Sequence, residues 1–398
     1  MNVPKLRFKE FTDEWTFTTL KDVAIKVNRV ESNNSPIMMI SAEKGFILQS
    51  QKYSKDMTGD SLKKYITLYK NELAYNHGAS KLRPYGSVFM LLEDKARIPF
   101  VYHCFKITNG YNKFFSYYLN RYSFGRLLKP LISSTARMDG LLNISFDNYF
   151  SIKFKIPQLK EQEKIANLLT TVDKKITNLE NTITSLENQK KGLLQQIFSQ
   201  KLRFKDKNGN NYPNWEKKQL SEYVFIYDGT HQTPKYTNSG IKFVSVENIN
   251  NLSGTNKFIS EKDFLKEFKN IPEKNDILMT RIGDVGTATL ITQNEPLAYY
   301  VSLALFKQKK SIHMPFLLHY ISTIYFQHEL WKRTLHIAFP KKINKNEIGK
   351  CNLLVPCLEE QTKIADFLSA FDRKLENQKA QLEHWKQIKK GLLQQMFV

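Results

Sequence analysis

Residues 157–198 and 356–397 are two copies of one helical segment, alignable without a gap at an offset of 199 and identical at 19 of 42 positions. The matches bracket the segment. P-x-L-x-E-Q-x-K-I-A opens it, with Leu169 and Leu368 just beyond, and K-K-G-L-L-Q-Q closes it (Lys190 to Gln196, Lys389 to Gln395). A shorter repeat supports the same organisation: Lys5-Leu6-Arg7-Phe8-Lys9 returns as Lys201-Leu202-Arg203-Phe204-Lys205, each followed by a tryptophan (Trp15, Trp215) and a leucine (Leu20, Leu220). An internal period outranks any single motif, so the chain reads as globular unit, helix, globular unit, helix. The boundaries fall at 1–156, 157–199, 200–355 and 356–398.

The repeated segments carry apolar residues at spacings of three and four. In the first copy these are Ile165, Leu169, Val172, Ile176, Leu179, Ile183, Leu186, Leu193 and Ile197. The second keeps register with Ile364, Leu368, Phe371, Leu375, Leu382, Trp385, Leu392 and Met396. Such a series predicts a coiled-coil seam rather than the wider stripe of a surface helix. Lys190 and its repeat-mate Lys389 interrupt it, as does Gln378. A seam lysine either fixes register or packs its stem while the amine reaches water. Short linkers predict that the helices pack antiparallel with the globular units at opposite ends. The Lys5 to Lys9 segment is then expected beside the end of the second helix, in a pseudo-twofold arrangement. At about 1.5 Å per residue the rod is roughly 60 Å long, or roughly 17 base pairs.

Charge divides along the same boundaries. The formal net charge is +22. Residues 1–156 hold 24 Lys/Arg against 13 Asp/Glu, and residues 199–355 hold 23 against 14, whereas each helical segment carries a surplus of one. Two basic modules joined by neutral helices are the electrostatic footprint of paired nucleic-acid-binding domains. The N-terminus runs straight into charged residues, and the richest apolar stretch, Pro315 to Phe326, is short and contains His319. Neither a signal peptide nor a membrane span is expected, and the expected location is the cytoplasm. Cys104, Cys351 and Cys357 lack metal-site spacing and are expected to be reduced and buried.

Both globular units show the same order of elements and read as mixed α/β modules, giving an α+β chain. Predicted strands are Pro36 to Ser41, Leu73 to Asn76, Val88 to Leu92, Phe100 to Ile107 and Phe150 to Ile156, with a helix over Asn112 to Leu128. The second unit repeats this with Ile241 to Val246, Ile277 to Arg281, Ala288 to Thr292, Ala298 to Phe306 and Asn352 to Val355, and a helix over Pro315 to Thr334. Beyond this order the units share little sequence.

The loops carry the candidate contacts. In the second unit, residues 228–236 contribute Thr230, His231, Thr233, Lys235 and Tyr236; the turn 280–287 contributes Arg281 at the end of a strand, followed by glycines that let the backbone approach a ligand; Lys341 and Lys342 follow Pro340. In the first unit the corresponding candidates are Asn76, His77, Lys81, Arg83 and, after Ser133-Ser134-Thr135-Ala136, Arg137. Arg and Lys suit guanine edges and phosphates, Asn suits adenine, and hydroxyls suit phosphates. Two alternatives stand beside this reading: Arg281 forms an internal ion pair with Asp284, and Tyr236 belongs to the core rather than to a base-stacking surface.

Catalytic motifs are missing. None of the thirteen prolines is followed by another, which removes the Asn/Asp-Pro-Pro-aromatic box of amino-methyltransferases. No glycine precedes Lys-Ser or Lys-Thr, which removes an ordinary phosphate loop. Glu93-Asp94-Lys95 lacks a partner acid, and His313, His319 and His328 lack metal-ligand spacing. The chain reads as a recogniser without a catalyst. A coiled-coil bridging protein, whose basic domains bind RNA or acidic proteins without sequence choice, is the alternative.

The repeated helix starts and ends, the L-R-F segments with a later Glu14-Trp15 or, inverted, Trp215-Glu216, and the G-T-H-x-T-P-x-Y and D-I-L-M-T-R-I-G-D-V-G stretches resemble the specificity (S) subunits of type I restriction-modification systems. The resemblance covers essentially the whole chain, although the first unit lacks the G-T-H-x-T-P loop. It implies two target recognition domains, each reading one half of a bipartite, asymmetric DNA site. The helices would set the gap and dock two methyltransferase (M) subunits. It further implies restriction (R) subunits, with S-adenosylmethionine, ATP and Mg²⁺ held by those partners and no catalysis or metal in this chain.

Overall fold

The structure is a computed structural model of the full chain that describes residues 3–31, 34–53, 59–81, 83–132 and 142–397. The chain divides into two compact units, residues 1–179 with 381–398 and residues 180–380, so each contains one globular module and part of each long helix.

Each unit is built on a four-stranded antiparallel sheet of the same order. In the first unit the strands run Ala24–Lys26, His103–Ile107, Leu73–Asn76, Ser87–Met90; in the second, Val224–Asp228, Leu303–Gln308, Ile277–Thr280, Ala288–Leu290. Leu73 to Tyr75, Ile277 to Met279 and Leu303 to Phe306 in the middle strands read as continuous apolar runs because both faces of the sheet are covered there. Ile277 and Met279 point into one cluster with Phe306 and Phe316, while Leu278 points into another with Leu305 and Tyr299. Leu73 and Tyr75 likewise face one cluster of the first unit and Ala74 the other. A two-stranded ribbon closes each unit, Thr16–Thr19 with Lys153–Ile156 and Glu216–Gln219 with Asn352–Val355, and leads directly into a long helix. The predicted single helices are each broken in two, Asn112–Tyr118 with Tyr122–Leu128 and Met314–Ile321 with Ile324–Arg333. Thr323 makes the second break by accepting from the Phe326 amide as an N-cap.

The long helices span Leu159–Phe198 and Leu358–Gln395. Ile165, Ala166 and Leu169 enter the first unit's core together with Met396 and Phe397; Ile364, Ala365 and Leu368 enter the second unit's core with Ile197 and Phe198. Val172, Leu179, Ile183, Leu186 and Leu375 are also buried, whereas Ile176, Leu193, Phe371, Leu382, Trp385 and Leu392 are half-buried. In the second unit Lys190 pairs with Asp372, and Lys379 lies 2.7 Å from Glu187, so the helical segments run antiparallel. In the first unit Lys389 lies 2.6 Å from Asp173. Both seam lysines therefore have a carboxylate partner, and the pairs are related by the 199-residue repeat.

The repeated motifs fasten each module to its helices. Glu161 is fully buried and accepts two bonds from Arg7, Nε and Nη2 each at 2.8 Å, and a longer one from Trp15 Nε1 at 3.4 Å. Glu360 does the same with Arg203 at 2.7 and 2.8 Å and Trp215 Nε1 at 2.9 Å. The next residue, Gln162, accepts from the Tyr111 amide and donates to Pro157; Gln361 repeats this with His313 and Pro356. The Leu6 amide donates to Gln395 at 2.9 Å, which places the N-terminal segment beside the end of the second helix.

Candidate nucleic-acid interface

Three loops of the second unit, far apart in sequence, meet at one edge of the central sheet. Arg281 leaves the end of its strand and reaches Asp228 with Nη1 at 2.6 Å; its Nε donates to the Ile343 carbonyl at 3.1 Å. The Gly283 amide donates to Lys341 at 2.7 Å, and Ile282 forms a bridge with Lys342. Gly283 has a φ of 81°, a left-handed conformation that glycine adopts without cost. Gly229 lies so close to the neighbouring chain that a Cβ would come within 2.2 Å of the Tyr299 carbonyl oxygen. Asp228 also faces Lys345 Nζ at 3.7 Å and His231 Nε2 at 4.0 Å. One carboxylate thus ties together three loops and sits beneath several basic groups.

The structure moves Arg281 from surface to interior. It is 7% exposed, and its partner is Asp228 rather than Asp284. Its planar fork, matched to a carboxylate and a carbonyl, organises the loops from below instead of presenting itself to a base. His231, Thr233, Lys235, Lys341 and Lys342 are exposed on the loops, while Thr230 is half-buried and lies 3.3 Å from Glu267. Tyr236 is 43% exposed; its ring stands edge-on to Phe243, with Lys257 Nζ 5.8 Å from its centroid. It is shared between core and surface.

In the first unit most candidates turn inward. His77 is 8% exposed, its ring nitrogens 2.9 Å from the Leu142 carbonyl and 2.8 Å from the Val101 carbonyl, and it packs against Tyr75 and His103. A ring sequestered in this way has no free edge for DNA, so its role is to join strand and loop. Asn76 is half-buried, its Oδ1 accepting from the Gly78 amide. Arg83 donates to the Asn120 carbonyl at 2.9 Å, burial lowers its pKa, and it lines a cavity of about 530 Å³ with Tyr117 and Lys389. Lys81 is exposed. Arg137 and its neighbours Ser133 to Ala136 lie outside the described residues.

Sequence reasoning passed over the tip between Leu335 and Lys342. Ile337 is 99% exposed and Phe339 fully so. Two apolar residues directly before Pro-Lys-Lys, past the end of a predicted helix, were the available signal. Among the described residues no group of three His, Cys, Asp or Glu could hold a metal ion, and no helix is long and apolar enough to cross a membrane.

The geometry agrees with known proteins. The type I restriction modification DNA specificity domain matches twice, over residues 12–188 and 212–384. The specificity subunit of the type I restriction enzyme MjaVIII from Methanocaldococcus jannaschii is 25% identical over 288 residues, 67% of this chain and 66% of that protein, just under two thirds of its length. The S subunit of a type I restriction-modification system from M. genitalium has the same fold, with a TM-score of 0.64 at 17% identity over 100% of this chain and 99% of that one. A chain from work on complex assembly and conformational transition of the type I R-M system gives 0.53 at 14% identity, covering 95% and 96%. The two modules, each fastened to its helices by the same Arg-Glu-Trp cluster, are thus two copies of one domain, and the chain belongs to the type I restriction-modification DNA specificity family.

Proposed function

We propose that this chain selects the DNA site of a type I restriction-modification complex in the cytoplasm, each unit reading one half of a bipartite, asymmetric sequence. The observation that carries this is the meeting of three loops at one sheet edge, two of them bearing the exposed Lys235, Lys341 and Lys342, in a domain of the DNA specificity family. The central sheet and the closing ribbon have the same strand order in the two units while the remaining strands and the loops differ, as expected of modules with one role and two targets. The long helices set the spacing between half-sites and dock two methyltransferase subunits, and restriction subunits join that assembly. S-adenosylmethionine, ATP and Mg²⁺ belong to those partners, and this chain supplies recognition without catalysis.

Mapping methylated adenines in DNA exposed to the assembled complex tests the proposal. Methylation confined to two short sequence blocks at a constant separation is the expected result. Methylation without a sequence rule, or at a single uninterrupted block, would overturn it.

A further inference from the structure

We infer that the tip formed by residues 336–339 is an apolar wedge that inserts Phe339 and Ile337 between stacked bases of the duplex bound by the second unit. The inference rests on the DNA-reading role proposed above and assigns side chains to a mechanical task within it. Ile337 and Phe339 stand almost wholly in water. Scattered exposed apolar residues need no explanation, but two on one tip beside a pair of exposed lysines do. The base of the tip is fixed. The Leu335 amide donates to Lys342 at 2.8 Å, and Lys341 is held by the Gly283 amide, so the projection is attached to the loops organised by Arg281. On its near side His336 Nε2 lies 2.9 Å from the Trp331 carbonyl, and the two rings are 5.0 Å apart.

The surroundings select the occupant. Exposed Lys341 and Lys342 follow the apolar tip after Pro340, so a ligand seated here has anionic groups beside an apolar interior. Duplex DNA presents that combination, phosphates flanking stacked bases, and Phe and Ile are among the side chains used to part base steps. A parted step bends the duplex, at a cost that depends on the step's sequence, so the wedge would add selectivity at a position where no polar side chain reads a base edge.

The test uses the full-length chain within its assembled complex. A duplex is first selected from a random-sequence pool by the wild-type complex and then labelled with 2-aminopurine at successive positions. The wild type is expected to raise fluorescence at one base step in the half-site of the second unit. The Ile337→Ala/Phe339→Ala double variant is expected to lose that rise and about tenfold or more in affinity, the scale of a lost aromatic–base contact. Because both side chains are exposed, its thermal unfolding should match the wild type. A Lys341→Ala/Lys342→Ala variant should bind less tightly yet keep the rise. An unchanged fluorescence profile in the apolar variant would overturn the wedge while leaving DNA reading intact. Intact DNA behaviour with poorer assembly of the complex would overturn it in favour of a protein-contact role. Failure of the wild type to enrich any duplex would remove the DNA reading itself, and the wedge with it.

Discussion

Lys389 Nζ lies 2.6 Å from Asp173 on the helix seam, and Lys190 and Asp372, each 199 residues removed from its counterpart, form the same pair in the other unit. Each lysine interrupts an apolar series, so an unpaired amine would oppose close packing of the helices. The first unit's pair is about one-third exposed on both sides, which limits it to roughly 0.5–1 kcal/mol. A double-mutant cycle on Lys389→Ala and Asp173→Ala should return a coupling of about that size, and exchange of the two residues should recover most of the loss. Simple additivity of the single variants would remove the pair from the account of register.

The buried carboxylates are worth far more. Glu161 and Glu360 are wholly buried, and each accepts bonds from an arginine and an indole. Removing one partner of such a cluster strands the others. Glu161→Ala is expected to destabilise the first unit, and Glu360→Ala the second, by about 3–5 kcal/mol. Hydrogen exchange resolved by peptide should show faster exchange confined to the affected unit. A loss below about 1 kcal/mol would mean that the cluster does not anchor the helix starts.

These clusters also show what the sequence could and could not disclose. Recurrence marked Arg7, Trp15 and Glu161 as repeated residues, at offsets of 196, 200 and 199, and apolar spacing marked the seam, because both signals are local or periodic. Leu73–Asn76 and Asn352–Val355 were legible as strands of the lengths observed. The strands Lys95–Ile98 and Glu216–Gln219 were not, since charged residues on short ribbons carry little apolar pattern and exist through pairing with distant segments. The site divides the same way. Its loops were readable from turn residues, but the fate of Arg281 depends on Asp228, 53 positions earlier, and sequence proximity pointed to Asp284 instead. His77 is held by carbonyls from two other segments, which no local pattern records.

A pH dependence follows from two imidazoles, His319 buried and His103 half-buried. Burial pushes His319 down to about 4, partly opposed by Asp372, and pushes His103 down to about 4, partly opposed by its bond to the Ile144 carbonyl. An unfolded histidine titrates near 6.5, so between about 6.5 and 4 the unfolded chain holds more protons than the folded one. Stability is complete above about pH 6.5 and falls as pH drops towards 4, by up to about 3 kcal/mol per site. His319 occupies the place that Tyr117 holds in the first unit. Its Nε2 lies 3.1 Å from Ser369, the repeat-mate of Thr170, which faces Tyr117. His319→Tyr should therefore flatten the second unit's share of the acid loss in denaturant titrations between pH 7.5 and 4.5. Parallel profiles for variant and wild type would place the titration elsewhere.

Arg281 and the Lys341-Lys342 pair, neighbours in space, should respond in opposite ways to truncation. Arg281→Ala strands Asp228 in a largely enclosed position and removes the donor to Ile343, so the expected effect is a loss of about 3 kcal/mol in the stability of the second unit. Arg281→Lys keeps the charge but cannot fill both acceptors with one planar group, and should recover part of that loss. Lys341→Ala and Lys342→Ala touch no core. Each should leave thermal unfolding within about 0.5 kcal/mol of wild type and weaken DNA binding across sequences. Each should also reduce the slope of log affinity against log salt by about 1. Binding titrations at several salt concentrations, run beside thermal melts, separate the two behaviours. A stable Arg281→Ala protein that has lost discrimination at one base position would return the arginine to the surface role that its loop first indicated.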